Sequence, residues 1–249
     1  MTDLTRRLPA SCFAYVDGDL ALDGVKIAAI AKEVGTPFYL YSAKRLRENW
    51  ARLADALAPL NVSIHYAMKA NANRAVVSVL AKEGAGADIV SGGELTRALD
   101  AGIPASRVVF SGVGKTDEEI AQALDAGIHQ LNAESYEELH RIDEIARARG
   151  VVASVALRVN PDVDAETHAK ITTGKKDNKF GVDADRLAAL DNELKAMANV
   201  RLVGLAVHIG SQILTTRPFA TAYARAAALT RELRARGHAP TRLELRGGL

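Results

Sequence analysis

The chain has 249 residues, 48% of them hydrophobic and 25% charged, the make-up of a globular protein with a sizeable core. Its 32 basic residues nearly balance 30 acidic ones, which argues against a nucleic-acid or membrane-surface partner. The single cysteine, Cys12, excludes an internal disulfide framework, and no apolar run reaches the ~18 residues of a membrane span, so the cytoplasm is the expected compartment.

The first stretch, "FAYVDGDLALDG", alternates around Asp17-Gly18 and predicts a β-hairpin over residues 13–22. Leu46, Trp50, Leu53 and Leu57 then mark one face of a helix that Pro59 stops. From there short β-type runs alternate with helical patterns. The strands are "NVSIHYA", "ADIV", "RVVF", "IHQLN", "ASVALRV", "RLVGLAVHI" and "TRLEL". Helices are expected over 74–83, 92–101, 117–126 and 135–149, the last opened by a capping box at Ser135 and Glu138. Leu187, Leu190, Leu194 and Met197 line a further helix. A final helix runs through Phe219, Tyr223, Ala226 and Leu233 to Gly237, which leaves His238 in solvent.

Strict βα alternation with short connections implies a parallel sheet, open or closed into a barrel. About seven such strands are legible, where a closed (β/α)8 barrel of the TIM type needs about eight. The fold expected is therefore α/β, a TIM-type barrel that stops after its seventh strand. Seven strands leave the first and seventh with unpaired edges, so residues 1–249 alone are expected neither to close a barrel nor to sustain catalysis.

Lys69, in "HYAMKANAN", ends the first barrel strand, on the face where such barrels keep their chemistry. A lysine buried among strand residues tends to lose its proton and become a nucleophile able to form a Schiff base. The plain alternative is a lysine that snorkels to solvent. "HIGSQ" ends the sixth strand, where Ser211 and its turn could meet an anion and His208 could lie flat on an aromatic cofactor, or be a core histidine. Gly247 and Gly248 follow the seventh strand, where barrel loops commonly cradle phosphate. Asp88 and Glu94, in "ADIVSGGEL", could orient a cofactor or lysine, though Glu94 equally suits a helix N-terminus. Arg158 ends the fifth strand and points into the site or braces it.

Two tempting motifs fail. "SGVGKT" lacks the first glycine of a Walker A loop, since that position is Val109, and Thr116 with Glu119 spells a capping box instead. "GAGADI" has Ile89 where a dinucleotide fingerprint needs its last glycine. The histidines show no metal-binding spacing, so no metal site is expected. The segment from Asn160 to Gly181 is long for a βα connection and belongs on the functional face, although Lys175, Lys176 and Lys179 could form a solvated rim.

In order and spacing, "YAMKAN", "GADIVSGGEL", "RVNPDVDAETHAKITTGKKDNKFG" and "HIGSQI" resemble the blocks of the alanine-racemase-like, fold-type III pyridoxal-phosphate enzymes, and within them the diaminopimelate decarboxylases. The resemblance implies pyridoxal 5'-phosphate held by Lys69 as a Schiff base. It places His208 on the pyridine ring, Asp88 among the cofactor-binding residues, and Ser211, Gly247 and Gly248 at the phosphate, with Glu94 and Arg158 in support. The implied substrate is meso-2,6-diaminopimelate, decarboxylated at its D-configured carbon to L-lysine. The implied assembly is a cytoplasmic homodimer, with neither nucleic acid nor membrane as partner. Residues 1–42 would belong to a second, β-rich domain, and residues 43–249 to the cofactor-binding barrel.

Two departures qualify this. The family's loop after the seventh strand opens with three glycines, but the first position here is Arg246, expected to crowd the phosphate or to need a backbone angle that glycine takes easily. The family's "EPGR" block, whose glutamate pairs with the pyridine nitrogen, would lie beyond residue 249, as would the cysteine and tyrosine that complete the site across a dimer. A rival reading is a non-catalytic pyridoxal-phosphate-binding barrel of the cofactor-homeostasis type; a cofactor-free remnant is a third.

Overall fold

The computed structural model describes residues 12–161, 181–183, 187 and 191–248. The predicted hairpin is present as β1 (Phe13–Val16) and β2 (Asp19–Leu22), paired antiparallel from Phe13↔Leu22 to Val16↔Asp19. Asp17 and Gly18 both take positive φ, +50° and +82°, the two-residue turn whose twist matches the flanking strands. A short β3 (Val25–Lys26) adds to β2, and the chain passes directly into α1 (Ile27–Val34). Neither β3 nor α1 is among the expected elements. Ile27, Ile30, Ala31 and Val34 do fall at helical spacing, yet none of α1 is buried among the described residues.

α2 (Ala43–Leu57) opens at Ser42, whose Oγ accepts from Arg45 N at 2.9 Å and donates to Asp23 Oδ2 at 2.6 Å. One hydroxyl thus caps the helix and ties it to the small sheet.

Seven parallel strands follow, as expected. They are β4 (His65–Ala67), β5 (Gly86–Ile89), β6 (Val108–Phe110), β7 (Gln130–Ala133) and β8 (Ala153–Asn160), then Val200–His208 and Arg242–Arg246. A two-residue strand missed from the sequence, β9 (Val182–Asp183), pairs with the end of β8, which makes the last two β10 and β11. The sheet order is β4-β5-β6-β7-β8-β10-β11, so among the described residues β4 and β11 each have one neighbour. The helices between strands are α3 (Arg74–Lys82), α4 (Gly92–Asp100), α5 (Asp117–Ala126), α6 (Tyr136–Arg149), α7 (Asp191–Ala196) and α8 (Arg217–Ala235). Asn73, Ser91, Thr116 and Ser135 cap the first four of these, and Thr116 with Glu119 completes the capping box read from "KTDEE". The helix expected over Leu187 to Met197 is seen as α7, residues 188–190 lying outside the described ones.

The strand pattern is apolar on the helix side and polar or small on the other. Ala87, Ile89, Val108, Phe110, Leu131, Ala133, Val155 and Leu157 are fully buried in the main core with α4, α5 and α6. The alternate positions share the concave face: Asp88, Val109, Gln130, Asn132, Ala156, Arg158, Gly204, Ala206, His208, Arg242, Glu244 and Arg246 lie in register from β5 to β11. Side-chain contacts show how far the sheet curls. Glu244 on β11 accepts from Gln130 on β7 at 2.8 Å, across three strand steps that would span ~14 Å if flat. Among the described residues the architecture is a curled, TIM-type barrel sheet of seven strands in which β4 and β11 are the two ends.

Candidate active site

Lys69 sits on a single helical turn, Met68–Ala70, at the C-terminal end of β4. Met68 is wholly buried and anchors that turn, while Lys69 stands exposed, the solvent-facing one of the two placements the sequence left open. The "YAMKANAN" wording builds the turn locally. Tyr66 Oη donates to the Asn71 carbonyl at 3.1 Å, Asn71 Oδ1 accepts from Asn73 N at 3.0 Å, and Asn73 Oδ1 caps α3 through Ala75 N at 2.9 Å.

The two turns after β10 and β11 are zipped together. Ile209 N donates to the Arg246 carbonyl at 3.3 Å, Gly248 N to the Gly210 carbonyl at 2.9 Å, and Ile213 N to the Gly248 carbonyl at 2.9 Å. This brings Ser211 to Gly248, as the sequence suggested. A Cβ on Gly248 would lie 3.3 Å from Ser211 Cα, and one on Gly247 would press to 2.5 Å from Phe219 Cε1. The close packing, more than a demand for unusual φ, requires glycine at 247. Because Gly248 spends its N–H on Gly210, its contribution to an anion is room and not a donor.

His208 ends β10, half-buried, and its ring is pushed down to about 3 by burial and by the positive charges of Arg158, Arg246 and Lys69. Lys69, His208, Ser211 and Gly248, read from three separate stretches, therefore lie at one end of the barrel. His238 does not follow its expectation: its ring is 9% exposed and held 2.7 Å from Asp191 Oδ1.

Below this end the barrel interior is a continuous polar network. Asp88, 6% exposed, accepts from Ser111 Oγ at 2.6 Å and from Arg246 Nη1 at 3.1 and 3.3 Å. Ser111 Oγ also accepts from Asn132 Nδ2 at 3.0 Å, which in turn donates to Glu244 Oε2 at 2.9 Å. Burial raises the Glu244 carboxyl above its ordinary value, with Arg246 opposing. Arg158 donates to Glu134 Oε2 at 2.7 Å, and Glu134 Oε1 accepts from Gly112 N at 3.0 Å. Arg158 is thus both braced and near His208. Glu94 accepts from Val90 N at 2.8 Å while Ser91 caps its own N–H, so the structure gives it to the start of α4.

Ser111, Gln130, Asn132, Glu134 and Glu244 were not singled out in the sequence. For the last four the available signal was the period-2 placement of polar residues inside "QLNAE" and "RLELR", which faces them one way; Ser111 lies just past β6 and carried no such signal. Arg246 continues β11 and is absent from the positive-φ residues, so the strained backbone expected there is not observed. Residues 162–180 of the long segment, with Lys175, Lys176 and Lys179, lie outside the described residues. The segment's two ends meet, since Val182 and Asp183 pair with Val159 and Asn160 at the C-terminal end of β8. No group of metal ligands occurs among the described residues, and no described helix is long and apolar enough to cross a membrane.

An exposed amine, an uncharged flat ring, a hydroxyl in a glycine turn and a guanidinium at one barrel end fit an aromatic aldehyde carrying a phosphate. Such a barrel is of the pyridoxal-phosphate-binding class. The family described as pyridoxal-dependent decarboxylase, pyridoxal binding domain, matches residues 43–249, and the chain belongs to it. Among curated relatives, a diaminopimelate decarboxylase of Pseudomonas aeruginosa is 45% identical over 237 residues, 95% of this chain and 57% of that protein. One from Zymomonas mobilis is 44% identical over 240 residues, again 57% of its length. Diaminopimelate decarboxylase from Helicobacter pylori, complexed with L-lysine, superposes with a TM-score of 0.84 at 39% identity, over 88% of this chain and 55% of that one. The M. jannaschii enzyme with L-lysine gives 0.87 at 38% identity, over 95% and 56%. The chain thus spans a little over half the length of the relatives it matches.

Proposed function

We propose that these residues form the cofactor-binding part of a decarboxylase that converts meso-2,6-diaminopimelate to L-lysine and carbon dioxide. The observation that carries this is the meeting of Lys69, His208 and the Ser211–Gly248 turn at one barrel end, in a chain of the pyridoxal-binding family. The relatives' names supply the substrate. In the reaction the bond from the α-carbon to its carboxylate breaks, the electron pair stays on carbon, and a proton takes the place of carbon dioxide.

When bound, pyridoxal phosphate supplies the electron sink for that pair. Lys69 would provide the amine that holds the cofactor, and as a free amine it could take or give a proton at the same place. Burial and cationic neighbours keep the His208 ring neutral, so it can lie flat on a heterocycle without adding charge. The Ser211 hydroxyl donates to the phosphate beside the room left at Gly247 and Gly248. Arg158, fixed by Glu134, supports this end with positive charge, and Asp88 lies beneath it. The resemblance adds a cytoplasmic homodimer with no nucleic-acid or membrane partner, and site residues beyond position 249.

The test is borohydride reduction of the cofactor-loaded chain followed by peptide mapping. The label is expected on the Lys69 peptide; finding it on Lys115 would overturn the assignment. Carbon dioxide release from meso-diaminopimelate by a chain extended to the relatives' length separates the enzyme from a non-catalytic carrier.

A further inference from the structure

We propose that Arg246 is an additional anion-binding residue of this face, its guanidinium donating to an oxygen of the phosphate ester bound there. The proposal rests on the cofactor-binding reading above and reverses the expectation that arginine at this position impairs the loop.

Backbone comes first. Arg246 continues β11 in extended conformation, and its carbonyl accepts from Ile209 N, so it holds the two turns together as glycine would. Its side chain turns into the barrel instead of filling the cradle, reaching Asp88 on β5 at 3.1 Å. Five strand steps, ~24 Å in a flat sheet, separate those strands.

A guanidinium has five N–H donors in a rigid fork. Nη1 spends its donors on the two oxygens of Asp88. Nε lies 2.9 Å from Glu244 Oε1, yet it makes no aligned hydrogen bond, and Nη2 finds no acceptor among the described residues although both nitrogens are buried. A buried charged donor without an acceptor is costly, and a ligand oxygen at Nη2 would remove that cost.

Two neighbouring features say which ligand. Arg246 immediately precedes Gly247 and Gly248, whose turn packs on Ser211, and Gly248 has already committed its N–H. The turn is short of donors, and the guanidinium of the residue that precedes it lies just inside the same end of the barrel. In addition, Arg158, Arg246 and Lys69 all act on His208; Glu134 pairs with Arg158, and Asp88 and Glu244 pair with Arg246, so Lys69 is the cation of this group outside those pairs and adds positive charge where an anion would sit.

The test compares wild type, Arg246→Gly, Arg246→Lys and Arg246→Gln for binding of pyridoxal phosphate, of pyridoxal without the phosphate, and of inorganic phosphate, by spectroscopic and calorimetric titration. Arg246→Gly is expected to weaken pyridoxal phosphate and inorganic phosphate about tenfold or more while leaving pyridoxal unchanged. Arg246→Lys should fall between, as a point charge without the fork. Equal or tighter binding of pyridoxal phosphate by Arg246→Gly would overturn the proposal, and so would an equal loss for pyridoxal, which marks general disruption. If melting shows that the glycine variant is unfolded, Arg246→Gln decides by the same comparison. Should wild type fail to bind pyridoxal phosphate at Lys69, the cofactor reading falls, and the inorganic-phosphate arm still decides Arg246.

Discussion

Lys115 Nζ lies 2.6 Å from Glu138 Oε1, and the same ammonium donates to the carbonyls of Gly112 and Asn132 at 2.7 Å each. The side chain is 1% exposed and stands 5.7 Å from the centre of the Phe110 ring. The lysine that makes "SGVGKT" look like a phosphate loop is therefore a brace. Through Glu138, which also accepts from Glu134 N at 2.7 Å, it steadies the carboxylate that holds Arg158.

Lys115→Met should accordingly destabilise the fold by about 3–5 kcal/mol, because it strands a nearly buried carboxylate and two carbonyls. Urea denaturation measures this. A loss under about 1 kcal/mol would mean that the pair behaves like a surface ion pair.

Stability should fall with acidification below pH ~6.5. Burial lowers His65 and His129, the latter with help from Arg242, and lowers His208 to about 3. All three rings stay neutral in the fold at a pH where the unfolded chain takes up protons. The unfolded state then binds more protons, so stability is full above ~6.5 and declines as pH drops toward the folded values, by up to about 1.4 kcal/mol per pH unit for each ring. Melting scans from pH 7.5 to 5 test this, and His208→Asn should flatten the slope.

Cofactor retention should separate the histidines. His208→Ala is expected to weaken pyridoxal-phosphate binding by about tenfold, the scale of a lost ring contact. The control is His140, 57% exposed beside Glu193, since His238 is packed against Asp191. Equal effects at 208 and 140 would show that His208 is not in contact with the ring.

Two glycines should respond oppositely to alanine. At Gly247 a methyl meets Phe219 and Ile209, which should cost about 1–3 kcal/mol and loosen the turn. At Gly93, inside α4, a methyl meets only Ser91 Oγ at 3.9 Å, and alanine should stabilise by about 0.5–1 kcal/mol. Thermal melts of the two variants check the sign at each site.

Most of the architecture was legible because βα units announce themselves locally, through caps such as Thr116 and Ser135 and through apolar stripes. That Lys69, His208 and Ser211 lie at or just past strand ends on one side of the barrel was legible because each follows a clear β-type run. The interior was not. "RLELR" has the alternation of a strand with one solvated face, yet its charges point inward, and Leu243 and Leu245 on the other side are 37% and 41% exposed. Nothing local to Glu244 tells that its partners are Gln130 and Asn132, because the curl that joins them is a property of the whole sheet.

That inward polarity bears on the order of assembly at the ribosome. The bonds from Glu244 to Asn132 and from Arg246 to Asp88 span 112 and 158 residues, so they can form only when nearly all of this sequence has been made. Until then the half-built lumen offers water Asp88, Gln130, Asn132 and small residues such as Ala156, and no greasy wall. A nascent chain paused before Arg242 would keep its apolar side under the helices already made and its wettable side open. Waiting for β11 then carries little risk of sticking to a neighbour.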